Sequence, residues 1–352
     1  MKTIDRNKPI LVTGATGYVA GRLVEKLLQE GLTVHAPVRD PNDNTKLTYL
    51  NAIGEKSEGT IKYFKADLLQ QGSYNEAMEG CELVFHTASP FTSSVKDPQR
   101  DLVDPALQGT ENVLNSANAT DSVKRVVLTS SCAAIIGDAK DCESYPNGIA
   151  TEEQWNTTST VDHQAYSYSK TVAEKKAWEI NKKQDRWDLV VVNPSLVLGP
   201  GINPNATSES FNIVRQLGDG SMKSGAPEFY IGAVDVRDLA FAHYQAGFTP
   251  EAEGRHIVSA ENISFLDLSE ALQTKYGNAF PFPKKTLPKF LVWLAAPAIG
   301  LKRKMIKLNV GYKWQVDNSK GKQTLGINYR PISESIVEFF QQMIEAGMVK
   351  GK

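Results

Sequence analysis

The stretch from Pro9 to Leu28, PILVTGATGYVAGRLVEKLL, limits what this chain can fold into more than any other. Ile10, Leu11 and Val12 make a short apolar run of the kind that forms a buried strand, and Gly14 and Gly17 follow at once. From Tyr18 onward the spacing is helical, with Val19, Leu23, Val24, Leu27 and Leu28 on one face. A strand that feeds a glycine turn into a helix N-terminus gathers backbone N–H groups that have no partner within the helix. The helix dipole adds positive potential at the same place. Such a turn suits a phosphate-bearing cofactor. Gly14 permits the tight turn, Gly17 lets a pyrophosphate approach the backbone, and Ala20 and Gly21 allow close helix–strand packing. An ordinary βα turn can use similar residues, but its place right behind the first strand favours the cofactor.

The pattern then repeats. Thr33–Val38 reads as a second strand closed by Arg39-Asp40-Pro41, and Ile61–Lys65 as a third that leads to Ala66-Asp67-Leu68. Leu83–Thr87 is a fourth, ending in Ala88-Ser89-Pro90-Phe91, and a helix is expected over Leu102–Ala119. Val123–Leu128 runs into Thr129-Ser130-Ser131, Ala165–Ile180 is helical, and Leu189–Val192 ends in Asn193-Pro194-Ser195. Strands alternating with helices predict an α/β fold with a doubly wound parallel sheet. In such sheets the polar residues at the carboxyl ends of the strands share one crevice.

Beyond Gly199 the texture changes. Gly, Pro, Asn and Ser crowd the stretch to Gly225, which predicts loops. His256–Ser259 reads as a strand, and Phe265–Lys275 and Ile332–Glu345 as helices. The expected division is a dinucleotide-binding, catalytic domain over 1–199 and a smaller mixed C-terminal substrate lobe over 200–352. Segments near 231–260 are free to return to the main sheet.

Composition narrows the function classes. A chain of 352 residues has ample core for one large domain or two. A net charge of −1 suggests neither a nucleic-acid partner nor a membrane surface. Three cysteines, Cys81, Cys132 and Cys142, fit a reducing cytoplasm, and MKTIDRNKP does not resemble a signal peptide. Five scattered histidines show no ligand spacing, so no metal is expected. The apolar run Phe290–Leu301 contains Pro297 and is too short to span a bilayer. It reads as core or pocket wall, with surface contact with lipid as the lesser alternative.

Tyr166 and Lys170 stand four apart on a predicted helix and so share a face. A free phenol, with a pKa near 10, is a poor acid at neutral pH. A nearby ammonium stabilises the phenolate and brings it toward the working range. Tyr166 could then donate a proton to a carbonyl oxygen while hydride arrives at its carbon. Ser131, at the tip of a strand, could hydrogen-bond that oxygen, and Ser130 is the neighbour most easily confused with it. Arg39 closes the second strand, where an adenosine ribose should rest, and could pair with the 2′-phosphate of NADP. Adjacent Asp40 could instead meet the 2′-hydroxyl of NAD, or the two could form a solvated ion pair. We favour NADPH, with Arg39 as the discriminating group and Lys46 as a second positive charge. Cys132 reads as a small buried thiol that could also line the pocket.

Taken in order, TGATGYVAG, APVRDPNDNTK, KADL, VFHTASPF, VVLTSS, YSYSK and NPSLVLGP resemble the extended short-chain dehydrogenases/reductases. The closer likeness is to the dihydroflavonol 4-reductase-like branch, with its cinnamoyl-CoA reductases and methylglyoxal/carbonyl reductases. The resemblance implies a Rossmann-type fold, NADP(H), and Ser131, Tyr166 and Lys170 as the catalytic trio. It implies cofactor contacts from Gly14, Thr16, Gly17, Tyr18, Arg39, Lys46, Asp67, Leu68, Thr87 and Ser89. Val19, Ala88 and Thr129 are expected on the same surface, with Pro194, Ser195, Leu196 and Val197 beside the nicotinamide. Phe91, Cys132 and the region after Gly199 would roof a pocket for a small carbonyl substrate held by Ser131 and Tyr166. Two positions depart from the pattern: Ala20 stands third in the glycine motif, and Gln108 replaces the asparagine often found before Gly-Thr. A 3β-hydroxysteroid dehydrogenase or a nucleotide-sugar epimerase would share this scaffold, and a dinucleotide-sensing regulator would not need Tyr166. Neither a monomer nor a homodimer is excluded.

Overall fold

The computed structural model describes residues 2–89, 95–206 and 208–351. The chain alternates through β1 (Ile10–Thr13), α1 (Tyr18–Gln29), β2 (Thr33–Val38), α2 (Asn44–Gly54), β3 (Thr60–Lys65), the short α3 (Asn75–Met78) and β4 (Leu83–His86). It continues with α4 (Asp104–Ala119), entered through a π-helical turn over Gln99–Val103, then β5 (Arg125–Thr129), α5 (Ala165–Asn181) and β6 (Asp188–Pro194). The later part holds β7 (Leu196–Leu198), α6 (Glu209–Gly218), β8 (Ala226–Pro227), β9 (Tyr230–Asp235), α7 (Val236–Phe248) and β10 (Gly254–Val258). The chain closes with β11 (Glu261–Ser264), α8 (Phe265–Tyr276), β12 (Thr286–Leu287), α9 (Lys289–Ala295), α10 (Arg303–Asn309), α11 (Ser319–Leu325) and α12 (Ile332–Glu345).

Seven strands form a parallel sheet in the order β10-β6-β5-β4-β1-β2-β3. Both faces are covered, so neighbouring residues of one strand enter opposite cores. Ile10 and Val12 join Leu23, Leu27 and Leu239 on the α1 and α7 side. Leu11 joins Val113, Leu114 and Ala177 on the α4 and α5 side. The winding reverses between β1 and β4, and the crevice at that switch point is where this topology places ligands.

Strands β11, β9 and β7 form a second sheet, and β12 and β8 a third. Beside them lies an aromatic core in which Phe339 stacks on Tyr18 (5.7 Å between centroids) and meets Phe211 edge-on at 4.6 Å. Two expectations are corrected here. The stretch from Gly199 to Gly225 is not all loop, because α6 buries Phe211, Val214 and Leu217 against the aromatic core. Glycine- and asparagine-rich flanks hid that short apolar repeat. The run from Phe290 to Leu301 is neither core nor pocket wall as a whole: Val292 and Ala296 are buried, while Phe290, Leu291, Trp293 and Leu294 are exposed.

Candidate active site

The glycine turn presses directly on the end of β4. Gly14 has φ +66°, and a Cβ there would come within 3.0 Å of the Ala88 Cα, so both the backbone and the space require glycine. The Gly17 N–H donates to the Gly14 carbonyl at 2.8 Å and closes the turn. Thr13, which the sequence did not single out, ties the two strand ends together. Its hydroxyl oxygen accepts the N–H groups of Thr87 (3.1 Å) and Ala88 (3.0 Å). Its proton is then left for the His86 Nδ1 at 3.0 Å. Burial, with the charge of Lys170, holds His86 down to about 3, so this imidazole stays neutral.

Helix α1 begins at Gly17 with no side-chain cap and no acidic residue in its first turn. Its leading N–H groups therefore lie beside exposed Thr16 and Gly17 with no capping side chain to compete for them, as a pyrophosphate requires. Tyr18 contributes differently from expectation. Its ring is buried between Phe211 and Phe339, and its hydroxyl donates to the Gly199 carbonyl at 2.5 Å, so only its backbone can serve a phosphate. Val19 is half-buried between the two cores.

Arg39 is exposed at the end of β2 and makes no ion pair among the described residues. Asp40 accepts the Asn42 N–H at 2.9 Å through one carboxylate oxygen. Lys46 is bound to Asp43 at 2.8 Å on the surface. The loop carrying Asp67 and Leu68 is held by Asn112, another residue sequence reasoning missed. Its buried amide donates to the carbonyls of Leu68 (3.0 Å) and Gln70 (2.7 Å) and accepts the Gly72 N–H at 2.9 Å. Gly109 makes room for Leu68, whose Cγ would lie 2.7 Å from any Cβ there. Gln108 is exposed on the same helix.

The proposed catalytic groups converge across the crevice from the glycine turn. Ser131 follows β5 and caps a 3₁₀ turn by accepting the Ala133 N–H at 3.1 Å, while its own proton is directed at the Pro194 carbonyl at 3.5 Å, a long contact that a substrate oxygen can replace. Tyr166, in the first turn of α5, is 54% exposed to the cleft. Surrounding protein pushes its phenol up from the ordinary value, while a hydrogen bond with Ser131 acts in the opposite direction. The Lys170 Nζ lies 5.7 Å from the centre of the Tyr166 ring and donates to the Ser89 hydroxyl at 2.9 Å. Burial brings Lys170 down to about 8. A cavity of about 20 Å³, enough for one water, adjoins Ser89, Thr110, Lys170 and Glu174. Thr129 borders it too, its hydroxyl 2.7 Å from the His243 Nε2. Half-buried Ser195, Leu196 and Val197 follow buried Pro194 at the end of β6, with the Ser195 hydroxyl left unpartnered.

One buried network holds these elements in register. Glu174, one turn beyond Lys170, accepts Ser130 at 2.5 Å and Asn193 at 2.9 Å, and pairs with Arg255 of β10 at 2.6 Å. The Asn193 amide also donates to the Ser131 carbonyl at 3.1 Å. Ser130 is thereby separated from Ser131: one faces the core carboxylate, the other the cleft. Cys132 must be corrected as a pocket-lining residue. It is buried among Ile135, Ile136 and Ile257, its Sγ donates to the Asn193 carbonyl at 3.2 Å, and burial pushes its thiol up. Phe91 lies outside the described residues.

The NAD dependent epimerase/dehydratase family model matches residues 10–258. The chain is 35% identical over 351 residues to a cinnamoyl-CoA reductase of Medicago truncatula, covering 98% of each chain. It is 32% identical over 360 residues to an anthocyanidin reductase of Arabidopsis thaliana, covering 98% of this chain and 97% of that one. Its fold matches the yeast methylglyoxal/isovaleraldehyde reductase Gre2 solved with NADPH, with a TM-score of 0.76 and 28% identity over 97% of this chain and 99% of the other.

Proposed function

The chain belongs to the NAD dependent epimerase/dehydratase family, and we propose that within it this protein is an NADPH-dependent reductase of aldehydes or ketones. The observation that carries the reading is the meeting of an exposed phenol, a half-buried amine and a capping hydroxyl opposite an uncapped glycine-turn helix. The residues present fit the cofactor: Gly14 keeps the cradle clear, the α1 N-terminus offers free N–H groups, and Arg39 stands ready for a 2′-phosphate. When bound, NADPH supplies the hydride.

The chain's own residues do the rest. The Ser131 hydroxyl, its oxygen already occupied by the Ala133 N–H, donates to the substrate carbonyl oxygen and fixes its position. Tyr166 delivers the proton to that oxygen, which completes the alcohol and leaves a phenolate. The Lys170 ammonium, anchored on Ser89, stabilises that phenolate. Arg39 is exposed at the position expected for the ribose with no carboxylate paired to it among the described residues, which favours NADPH over NAD. The same feature weighs against an NAD-retaining epimerase. Oxidation of NADPH, followed at 340 nm against a panel of aldehydes and ketones, tests the reading. Tight NADPH binding without turnover on any of them would contradict it.

A further inference from the structure

Net charge hides a strong local segregation. Between 281 and 316 the chain carries eight lysines and arginines and no aspartate or glutamate. The same segment presents Phe290, Leu291, Trp293 and Leu294, which are 63%, 44%, 38% and 57% exposed. Helices α9 and α10 explain the arrangement. They pack on each other through Val292, Ala296, Ile306 and Val310, which turns the remaining apolar side chains of α9 outward. The cations rim the patch: the Arg303 guanidinium lies 4.3 Å from the centre of the Trp293 ring, and Lys289 reaches the Lys307 carbonyl at 3.0 Å. The carboxylates bordering these helices come from other elements: Glu228 beside Gly311, Asp162, whose carbonyl receives Lys302, and buried Asp138, which accepts the Asn309 amide.

We propose that the α9–α10 face docks on the surface of an anionic lipid bilayer, with Phe290, Trp293 and Leu294 entering the headgroup boundary and the surrounding lysines and arginines meeting lipid phosphates and carboxylates. Exposed aromatic and aliphatic side chains rimmed by lysine and arginine are the composition of an interfacial element. Its charge pattern selects this occupant over a second copy of the chain, because two such faces would oppose cation to cation, the segment itself supplying no carboxylate. The binding is peripheral, since no described helix is long and apolar enough to cross a membrane. The face is also linked to the segment that leads into α5, because Asn309 of α10 donates to Asp138 at 2.6 Å, and Asp138 holds His163, three residues before Tyr166.

Flotation of the full chain with vesicles of phosphatidylcholine alone, or with roughly one-third phosphatidylserine added, tests the proposal. Recovery is expected with the anionic vesicles and should fall as salt rises. Lys304→Gln with Lys307→Gln should lower partition at least about tenfold. Phe290→Ser with Leu294→Ser should abolish it while leaving the melting temperature unchanged. A blue shift of tryptophan emission on vesicle addition should disappear in Trp293→Phe. Three results would overturn the proposal: no recovery with either vesicle, recovery insensitive to these substitutions, or a solution dimer that Phe290→Ser with Leu294→Ser dissociates.

Discussion

In the parallel sheet, successive residues of one strand part to opposite cores, and the ionisable groups buried in the sheet and in the elements packed on it are paired or held neutral. Glu174 and Arg255 are buried together, as are Asp138 and His163, while Arg125 is buried against half-exposed Asp188. The aromatic core beside the second sheet works differently. Tyr276, Phe280 and Phe282 meet Phe340 at 5.0–5.4 Å, and all five histidines lie outside this core. One region depends on buried charge and neutral imidazoles, the other mainly on ring and aliphatic packing beside the Asp235–Arg237 pair, so acid and mutation should separate them.

The largest separation is expected from acid. Burial lowers His86 and His256 to about 3 and His243 to about 4, all within the sheet body. A depressed pKa means that the unfolded chain binds protons the folded chain refuses. Stability is therefore fully present above about pH 6.5, the unfolded value, and is lost as pH falls toward the folded values. Each histidine contributes up to about 1.4 kcal/mol per pH unit in that window. Urea midpoints at pH 7 and pH 5 read the effect, and equal midpoints would remove the distinction between the regions.

Substitution comes next. Arg255→Met leaves Glu174 buried without its counter-charge and should cost about 3–5 kcal/mol. Phe340→Ala in the aromatic core should cost about 3 kcal/mol, and by the same amount at pH 7 and pH 5. A pH-dependent cost there would show that the aromatic core shares the electrostatics of the sheet.

The same contrast explains what the sequence revealed. Strands such as Leu189–Val192 are legible because their burial is written into adjacent residues, and their polar ends, Thr129 and Asn193, mark the crevice by position alone. Phe211 was not, because the partners that make α6 a core helix, Tyr18 and Phe339, are far away in the chain. Residues that hold the candidate site but do not face it escaped for a related reason. Asn112 and Glu174 carry no motif, Thr13 stands at the head of the glycine motif without marking its own role, and all three act only once the loops they bind have folded. Cys132 is the small buried thiol its residue type suggests, and its further assignment to the pocket failed because proximity to Ser131 in sequence says nothing of which way a 3₁₀ turn points its side chains.

A smaller effect is expected at the crevice rim. Arg39→Ser should weaken NADPH binding by about tenfold, the value of one charge-assisted hydrogen bond, and leave NADH binding unchanged. Fluorescence titration with both cofactors checks it, and an equal loss for both would place Arg39 away from the 2′-phosphate.

The most direct test of the proposed chemistry is kcat for Tyr166→Phe beside its dissociation constant for NADPH. Loss of the proton donor is expected to lower kcat by about a thousandfold with cofactor affinity preserved. Turnover close to wild type would show that another group protonates the carbonyl oxygen.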